Sequence, residues 1–239
     1  MTTATQAATI SAITLRRRRR WSEWVTLVAG FAVLLGGGVW MLLPLVWMLS
    51  ASLMPLSEVI KVPPVWFAPD KYSLANYIEV WGRIGFARFF FNSTFVAVTI
   101  TLAQLLTSSM AGFAFARYEF PGRTVIFILI LSTMMIPFQV IMIPLFIMMA
   151  RLGMVNTYWG MIVPAIVTPF GIFMMRQFMV NIPSELLDTA RTDGCSEFGL
   201  YWRIGLPLSK PILGTSALLG AMGIWNEYMW PAVILRSEE

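Results

Sequence analysis

The chain has 239 residues, 58% of them hydrophobic and 12% charged, and its mean hydropathy is +0.73. A soluble domain carries about 25% charged residues, so seventeen basic and twelve acidic side chains are too few to coat a soluble surface of this size. Disorder, nucleic-acid binding as the main task and an ordinary cytosolic enzyme are thereby excluded, and a multi-pass membrane protein is indicated. The absence of histidine removes histidine acid–base catalysis, histidine triads and histidine metal sites, and the single Cys195 removes disulfides and cysteine clusters. Lys61, Lys71 and Lys210 neither follow glycine nor precede Ser or Thr, as a phosphate-binding loop requires. No catalytic, cofactor or metal site is therefore expected, and ATP, if it drives the work, is bound by another subunit.

Residues 1–23 read as a basic N-terminal tail and 24–239 as the membrane domain. Charge is absent from 24–57, 89–116, 124–150 and 152–175, and 211–235 is interrupted only by Glu227. A crossing helix needs about 20 apolar residues, so each window holds one crossing and none holds two. Five helical spans follow, at about 24–50, 89–116, 124–150, 155–179 and 211–235, because lipid offers no partner for unpaired backbone groups. With the N-terminus cytoplasmic, the inner segments hold the five arginines at 16–20 and Arg117, Arg123, Arg176, Arg191, Arg203 and Lys210. The outer segments hold Lys61, Lys71, Arg83, Arg88, Arg151 and Arg236. Eleven basic residues inside against six outside favour that orientation. The arginine run reads as a topology signal ahead of anionic-lipid binding at about 1 kcal/mol per residue. A cleaved signal peptide is the weaker rival, its apolar stretch being far longer than a signal's.

The outer connection 51–88 holds Pro55, Pro63, Pro64 and Pro69 and starts extended; a short helix follows, with Ser73 as its cap. Two readings of this loop stand level, contact with an external partner and a cover for the bundle. In the second span Ala97, Thr101, Gln104, Ser108 and Ala111 form one helix face. Small residues let helices approach and polar ones bond across them, so packing is the first reading for most, with Gln104 as the residue to suspect of lining a path. Pro44, Pro137, Pro144, Pro164 and Pro169 fall inside spans and bend them.

Between the fourth and fifth spans, 181–210 holds Glu185, Asp188, Arg191, Asp193, Glu197, Arg203 and Lys210. Pro183-Ser184-Glu185 starts a helix with Ser184 as a candidate cap, Gly194 breaks it, Phe198, Tyr201 and Trp202 share a second short helix, and Ile204-Gly205-Leu206-Pro207 ends that one. A solvated linker does not need three aromatics, so this elbow docks another protein or lies on the membrane surface. In the fifth span a carboxylate at the bilayer centre costs about 2.5–3.5 kcal/mol. Ser216, Gly220 and Gly223 share the face of Glu227, which points that side chain into the bundle; the bland alternative is an interfacial carboxylate with no duty.

The elbow resembles the EAA loop of permease subunits of binding-protein-dependent ABC importers. That pattern is Glu-Ala-Ala, three residues, Gly, nine residues and Ile-x-Leu-Pro. Asp188-Thr189-Ala190 stands at the triplet, with Asp for Glu and Thr for Ala; Gly194 is the glycine and Ile204-Gly205-Leu206-Pro207 closes the pattern. Asn92-Ser93-Thr94, Ile143-Pro144-Leu145, the run from Leu152 to Thr157 and Trp225-Asn226-Glu227-Tyr228 are similar, in order, to sugar-importer permeases of the maltose-transporter MalG type. The resemblance implies an all-α polytopic bundle of the type I ABC importer permease fold, in the cytoplasmic membrane of a prokaryote, importing a sugar or sugar derivative. It implies a second homologous permease, a pair of cytoplasmic ATPase subunits that bind the ATP, and an extracytoplasmic solute-binding protein, beside membrane lipid and with no nucleic acid. Glu185, Asp188, Ala190, Asp193, Gly194, Ile204, Leu206 and Pro207 are then the ATPase-coupling residues, and Asn92, Gln104, Gln139, Asn226 and Glu227 line the translocation path. The family pattern has a sixth core helix beyond 225–235, which leaves a truncated, transport-incompetent scaffold as one alternative and a glycerol phosphate permease as another.

Overall fold

The computed structural model describes the backbone of residues 2–83 and 85–235, and side chains of 23–82 and 85–235. The side chains of the arginines at 16–20 and of Arg83, and all of Arg236, each counted in the charge comparison, lie outside the described residues. The chain forms two units, 1–86 and 87–239. The described elements are helices, as the all-α expectation requires.

In the first unit α1 runs from Thr2 to Leu53, so the expected tail and first span are one helix. Its apolar residues from Trp24 to Leu49 are mostly exposed, as a lipid-facing helix requires. α2 (Leu56–Val59) and α3 (Ala75–Arg83) follow. Asn76 Nδ2 donates to the carbonyls of Ser52 and Met54, both at 2.9 Å, satisfying acceptors at the end of α1. Ser73 Oγ accepts from Ala75 N at 3.1 Å, but the first helical bond, from Ile78 N to the Leu74 carbonyl at 3.1 Å, makes Leu74 and not Ser73 the cap residue of α3. Glu58 is buried between Lys61 and Lys71, with Nζ–Oε distances of 2.8 and 2.6 Å; these bonds hold its carboxyl below the ordinary range.

In the second unit α4 (Phe86–Arg117) buries Ala97, Thr101 and Ser108, the inward face expected of the small and polar stripe. The expected crossing 124–150 is two helices, α5 (Arg123–Thr133) and α6 (Phe138–Arg151), bent by 98°. Pro137 has no N–H to continue α5 and keeps the residue before it out of the helical region. The next crossing is also bent, by 41°, between α7 (Tyr158–Ile162, extended as a 3₁₀ turn over Val163–Ala165) and α8 (Pro169–Met179). The elbow contributes α9 (Ser184–Thr192), α10 (Glu197–Leu200), a π turn over Tyr201–Gly205 and α11 (Leu206–Leu208). The expected crossing 211–235 divides into α12 (Lys210–Trp225) and α13 (Met229–Ile234). Among the described residues two helices are long and apolar enough to cross a membrane, and four spans result if each bent pair counts as one. The 16 residues of α12 reach about 24 Å, short of a hydrocarbon core of about 30 Å, which is why the fifth span is not a single helix.

Packing follows from apolar faces and from glycines where backbones meet. One cluster joins Val96 and Ile100 of α4, Met149 of α6, Met161 and Ile162 of α7, and Trp230 and Ile234 of α13. A second joins Phe113 of α4 and Met175 and Met179 of α8 to Leu187, Leu200 and Tyr201 of the elbow. At Gly112 a Cβ would overlap the Met175 side chain and stand 2.9 Å from the Arg176 backbone nitrogen, so α4 and α8 touch backbone to side-chain root. Gly112→Ala is expected to destabilise the detergent-solubilised protein by about 1–3 kcal/mol, read as a lower thermal midpoint. Gly214→Ala, at an α12 site with open space around it, leaves the midpoint unchanged or raises it. Equal midpoints for the two variants would show that the close approach is not what Gly112 provides.

Candidate functional site

Two features stand out in the second unit, a cavity among the helices and the elbow at one end of them. The cavity has a volume of about 1210 Å³ and is walled by α4, α6, α7, α8, α12 and α13. Its polar lining includes Asn92, Gln104, Ser108, Asn156, Thr168 and Ser216, with Arg88 and Glu227 as its charged residues among those described; Phe138, Tyr158, Trp225 and Trp230 add ring faces.

Of the five residues assigned to a path, Asn92, Gln104 and Glu227 line this cavity, while Gln139 and Asn226 do not. Gln139 is exposed on the first turn of α6. Asn226 Nδ2 donates to the Met222 carbonyl at 2.7 Å and so serves the end of α12. Asn92 Oδ1 accepts from the Tyr158 hydroxyl at 2.7 Å. Gln104 Nε2 donates to the Ala165 carbonyl at 2.7 Å, and Thr107 Oγ1 to that of Ile166 at 2.7 Å. Ala165 stands four residues before Pro169, so its carbonyl is the one that proline cannot serve. Gln104 therefore holds α7 and α8 at their bend and faces the cavity as well. Glu227 Oε1 accepts from the N–H groups of Met229 and Trp230, at 2.9 and 3.2 Å, so the carboxylate serves the first turn of α13 from one residue before its cap, Tyr228. Ser216, Gly220 and Gly223 line the cavity along α12, and Glu227 lines it too, but from beyond the end of that helix and not from a shared helix face.

The sequence reading missed Arg88, Asn156, Tyr158 and Trp230. Asn156, at φ 60°, donates its backbone N–H to the Ile234 carbonyl at 2.9 Å, and Trp230 Nε1 donates to the Gly160 carbonyl at 3.0 Å. Only a contact between α7 and α13, distant in sequence, selects these residues. Their one local signal was Gly153 followed by Asn156, residue types that tolerate positive φ.

The elbow is a built turn. Gly194 has φ +80°, its N–H meets the Arg191 carbonyl at 3.0 Å, and the Cys195 N–H meets the Ala190 carbonyl at 2.9 Å. This is a Schellman motif, which needs glycine for its left-handed residue. Ser184 is not the cap of α9; Pro183 holds that position without a side-chain bond, and Ser184 is the first helical residue. Ser196 caps α10 instead, accepting from Gly199 N at 3.2 Å. Ile204-Gly205-Leu206-Pro207 does not end the second helix. The chain continues through the π turn into α11 and α12, because Pro207 sits in the first turn of α11, where no N–H is required of it.

Ala190, Ile204 and Leu206 pack against the buried elbow cluster. Glu185, Asp188, Asp193, Gly194 and Pro207 are exposed. Phe198 and Trp202 are 63% and 52% exposed and stacked, with ring centroids 6.3 Å apart and planes 14° apart, whereas Tyr201 is buried and its hydroxyl meets Ser109 Oγ at 2.8 Å. The three aromatics thus divide into one anchor and two presented rings. Arg191 bridges the glycine turn. Its Nε and Nη2 donate to both carboxylate oxygens of Glu197, at 3.0 and 3.2 Å, and its Nη1 to Asp188 at 2.9 Å. Tyr118, just past α4, donates its hydroxyl to Glu197 at 2.9 Å. The Arg191 bonds and then the Tyr118 bond hold the Glu197 carboxyl below the ordinary range; partial burial and then Glu197 push the Tyr118 phenol up to about 12.

The carboxyl is stabilised in its charged form, so the clasp contributes in full above the ordinary Glu value of 4.5 and is lost as the pH falls through the lowered folded value. The thermal midpoint is expected to fall between pH 6 and pH 3, and to fall less in Glu197→Gln, whose midpoint at pH 6 is already reduced. Parallel curves for the two proteins would show that the clasp carries none of the acid response.

Comparison with known proteins adds a family. Residues 104–238 match the family model described as binding-protein-dependent transport system inner membrane component. The arabinooligosaccharides transport system permease protein AraQ of Halalkalibacterium halodurans is 41% identical over 198 residues, covering 82% of this chain and 71% of that protein. The sn-glycerol-3-phosphate transport system permease protein UgpE of Brucella suis is 30% identical over 217 residues, covering 88% and 77%. Among solved structures, a bacterial ABC transporter involved in the import of the acidic polysaccharide alginate aligns with a TM-score of 0.79 and 29% identity, over 87% of this chain and 73% of that one.

Proposed function

We propose that this chain, which belongs to the family of binding-protein-dependent transport system inner membrane components, is the membrane-spanning subunit through which an ATP-driven importer moves a sugar or sugar derivative. The family is one of membrane transport components and not of enzymes. In this reading the cavity is part of the path, the elbow is where a cytoplasmic ATPase docks, and the ATP is held by that partner. A second permease and an external solute-binding protein complete the assembly. The arginines at 16–20 support a cytoplasmic N-terminus in this reading.

The observation that carries the proposal is the shared hardware of elbow and cavity. Leu187, Leu200 and Tyr201 of the elbow pack on Phe113 of α4 and on Met175 and Met179 of α8. The same two helices wall the cavity at Gln104, Ser108, Gly171 and Met174. A force on the exposed Phe198–Trp202 pair therefore reaches the cavity wall through close-packed side chains, which do not deform continuously. For the solute, the higher identity to the arabinooligosaccharide permease than to the glycerol phosphate one favours a saccharide.

Gly194→Asp tests the docking role. A Cβ at Gly194 meets nothing within 4 Å, and Asp is one of the few residues that visit positive φ, so the strain stays in the turn itself and the helices and membrane insertion are retained. What changes is bulk and charge on the presented surface. The expected result is solute-dependent ATPase activity and uptake below about a tenth of wild type in the reconstituted complex. Unchanged ATP-driven uptake would overturn the docking role.

A further inference from the structure

An arginine at the end of a membrane helix ordinarily pairs with a carboxylate or reaches into water. Three arginines meet at the elbow end of the second unit. Arg117 closes α4, Arg123 opens α5 and Arg176 stands in the last turn of α8. Among the described residues none of the three is paired with a carboxylate. Glu119, the acid in the connection between α4 and α5, is exposed and makes no ion pair with them.

The groups that hold these arginines are neutral. Arg117 donates to the carbonyls of Met179 and Ile182. Arg123 Nη1 donates to the Tyr118 carbonyl at 3.0 Å. Arg176 Nε donates to the Phe115 carbonyl at 3.3 Å, and its guanidinium lies over the Phe127 ring, with Cζ 4.4 Å from the centroid. Carbonyls and a ring face orient a guanidinium without cancelling its charge. The three differ in what is left over. Arg117 Nε is sealed in the protein without a partner, so Arg117 acts as a structural clamp. Arg123 and Arg176 are only half-buried. Nε and Nη2 of Arg123 and both Nη atoms of Arg176 have no protein partner and are not sealed.

These open edges lie close together. Phe127 is one turn beyond Arg123 on the same face of α5, and helical side chains tilt back toward the N-terminus. The Arg176 guanidinium on that ring is therefore drawn toward Arg123. The level is also that of a membrane surface. Just beyond Arg123, Val125, Ile128 and Leu129 form an exposed apolar face of α5. A ligand here meets two charged edges at one end and an apolar helix face at the other.

We propose that Arg123 and Arg176 form a headgroup site for an anionic phospholipid at the seam of α5 and α8. The phosphodiester takes the two open guanidinium edges, and an acyl chain lies along the exposed face of α5. A guanidinium presents planar, paired donors that match phosphate oxygens. A zwitterionic headgroup carries its own cation, which two uncancelled arginines repel. Free phosphate shares the anionic chemistry but gains nothing from the apolar face. Each basic residue near the surface contributes about five-fold to the affinity for an anionic lipid.

The test uses the full chain, purified and delipidated in detergent, with retained lipid counted by native mass spectrometry. Dioleoylphosphatidylglycerol is the probe; dioleoylphosphatidylcholine and inorganic phosphate are the competitors. Saturable retention of phosphatidylglycerol is expected, displaced by neither competitor. It is expected to weaken about five-fold in Arg123→Gln and in Arg176→Gln, and to be unchanged in Arg151→Gln, which removes the same charge from the exposed last residue of α6. Arg123 makes a single hydrogen bond within the protein, so Arg123→Gln keeps the wild-type thermal midpoint and reports on the site even where Arg176→Gln, having lost its ring contact, unfolds. Equal retention of phosphatidylcholine, wild-type affinity in Arg123→Gln, or an equal loss in Arg151→Gln would each overturn the site. Displacement by inorganic phosphate would show an anion site and overturn the lipid as its occupant.

Discussion

Backbone groups that lose their helical partner inside a membrane must find another within the protein, and the rest of this structure depends on how they do so. Three breaks in the second unit are served in three ways. Between α7 and α8, Gln104 and Thr107 reach across from α4 to the carbonyls of Ala165 and Ile166. At the end of α8, the Arg117 guanidinium donates to the carbonyls of Met179 and Ile182. Between α12 and α13, Glu227 takes the first free N–H groups of α13. In the first two cases the donor is α4, the one long apolar helix of the unit. The bends that shape the cavity thus hang on a single rod, and the elbow begins at the bend that Arg117 fixes.

That arrangement explains why polar side chains are so few and so informative here. A donor that holds a bend faces the space the bend creates, so structural and cavity-lining positions fall on the same residue. Gln104 shows this most clearly, with Nε2 on the Ala165 carbonyl and Oε1 against Gly220 in the cavity wall. Removing such a residue alters the shape of the cavity and its chemistry together, so loss of transport in a Gln104 variant does not by itself identify a solute contact.

Much was legible in the residues. The inward face of α4 followed from spacing and the helix break at Gly194 from the residue type, whereas the common face expected of Ser216 and Glu227 failed because α12 ends at Trp225. The EAA-like spacing pointed to the family that residues 104–238 match. The breaks inside the spans were less legible, because an apolar window reads alike whether it holds one helix or two bent pieces, and Pro144 lies within a continuous α6 while Pro137 stands at its N-cap, after the break that follows α5. The pairing of Asn156 with Ile234 and of Arg191 with Glu197 depends on tertiary closure and on the exact turn, which hydropathy does not encode. Asn226 and Gln139 were drawn into the path by polarity alone, and local backbone demands or the direction of a helix face placed them elsewhere.

The Schellman turn and the Arg191 clasp have a mechanical consequence. Both are made within the elbow and its own neighbour Tyr118, so this knob is already stiff without a partner. Under the docking role proposed above, a loop that had to order itself on contact would take up the first part of each ATPase stroke in its own rearrangement. A preformed knob has no such slack, and displacement at its surface passes to the helices beneath it from the first ångström of travel.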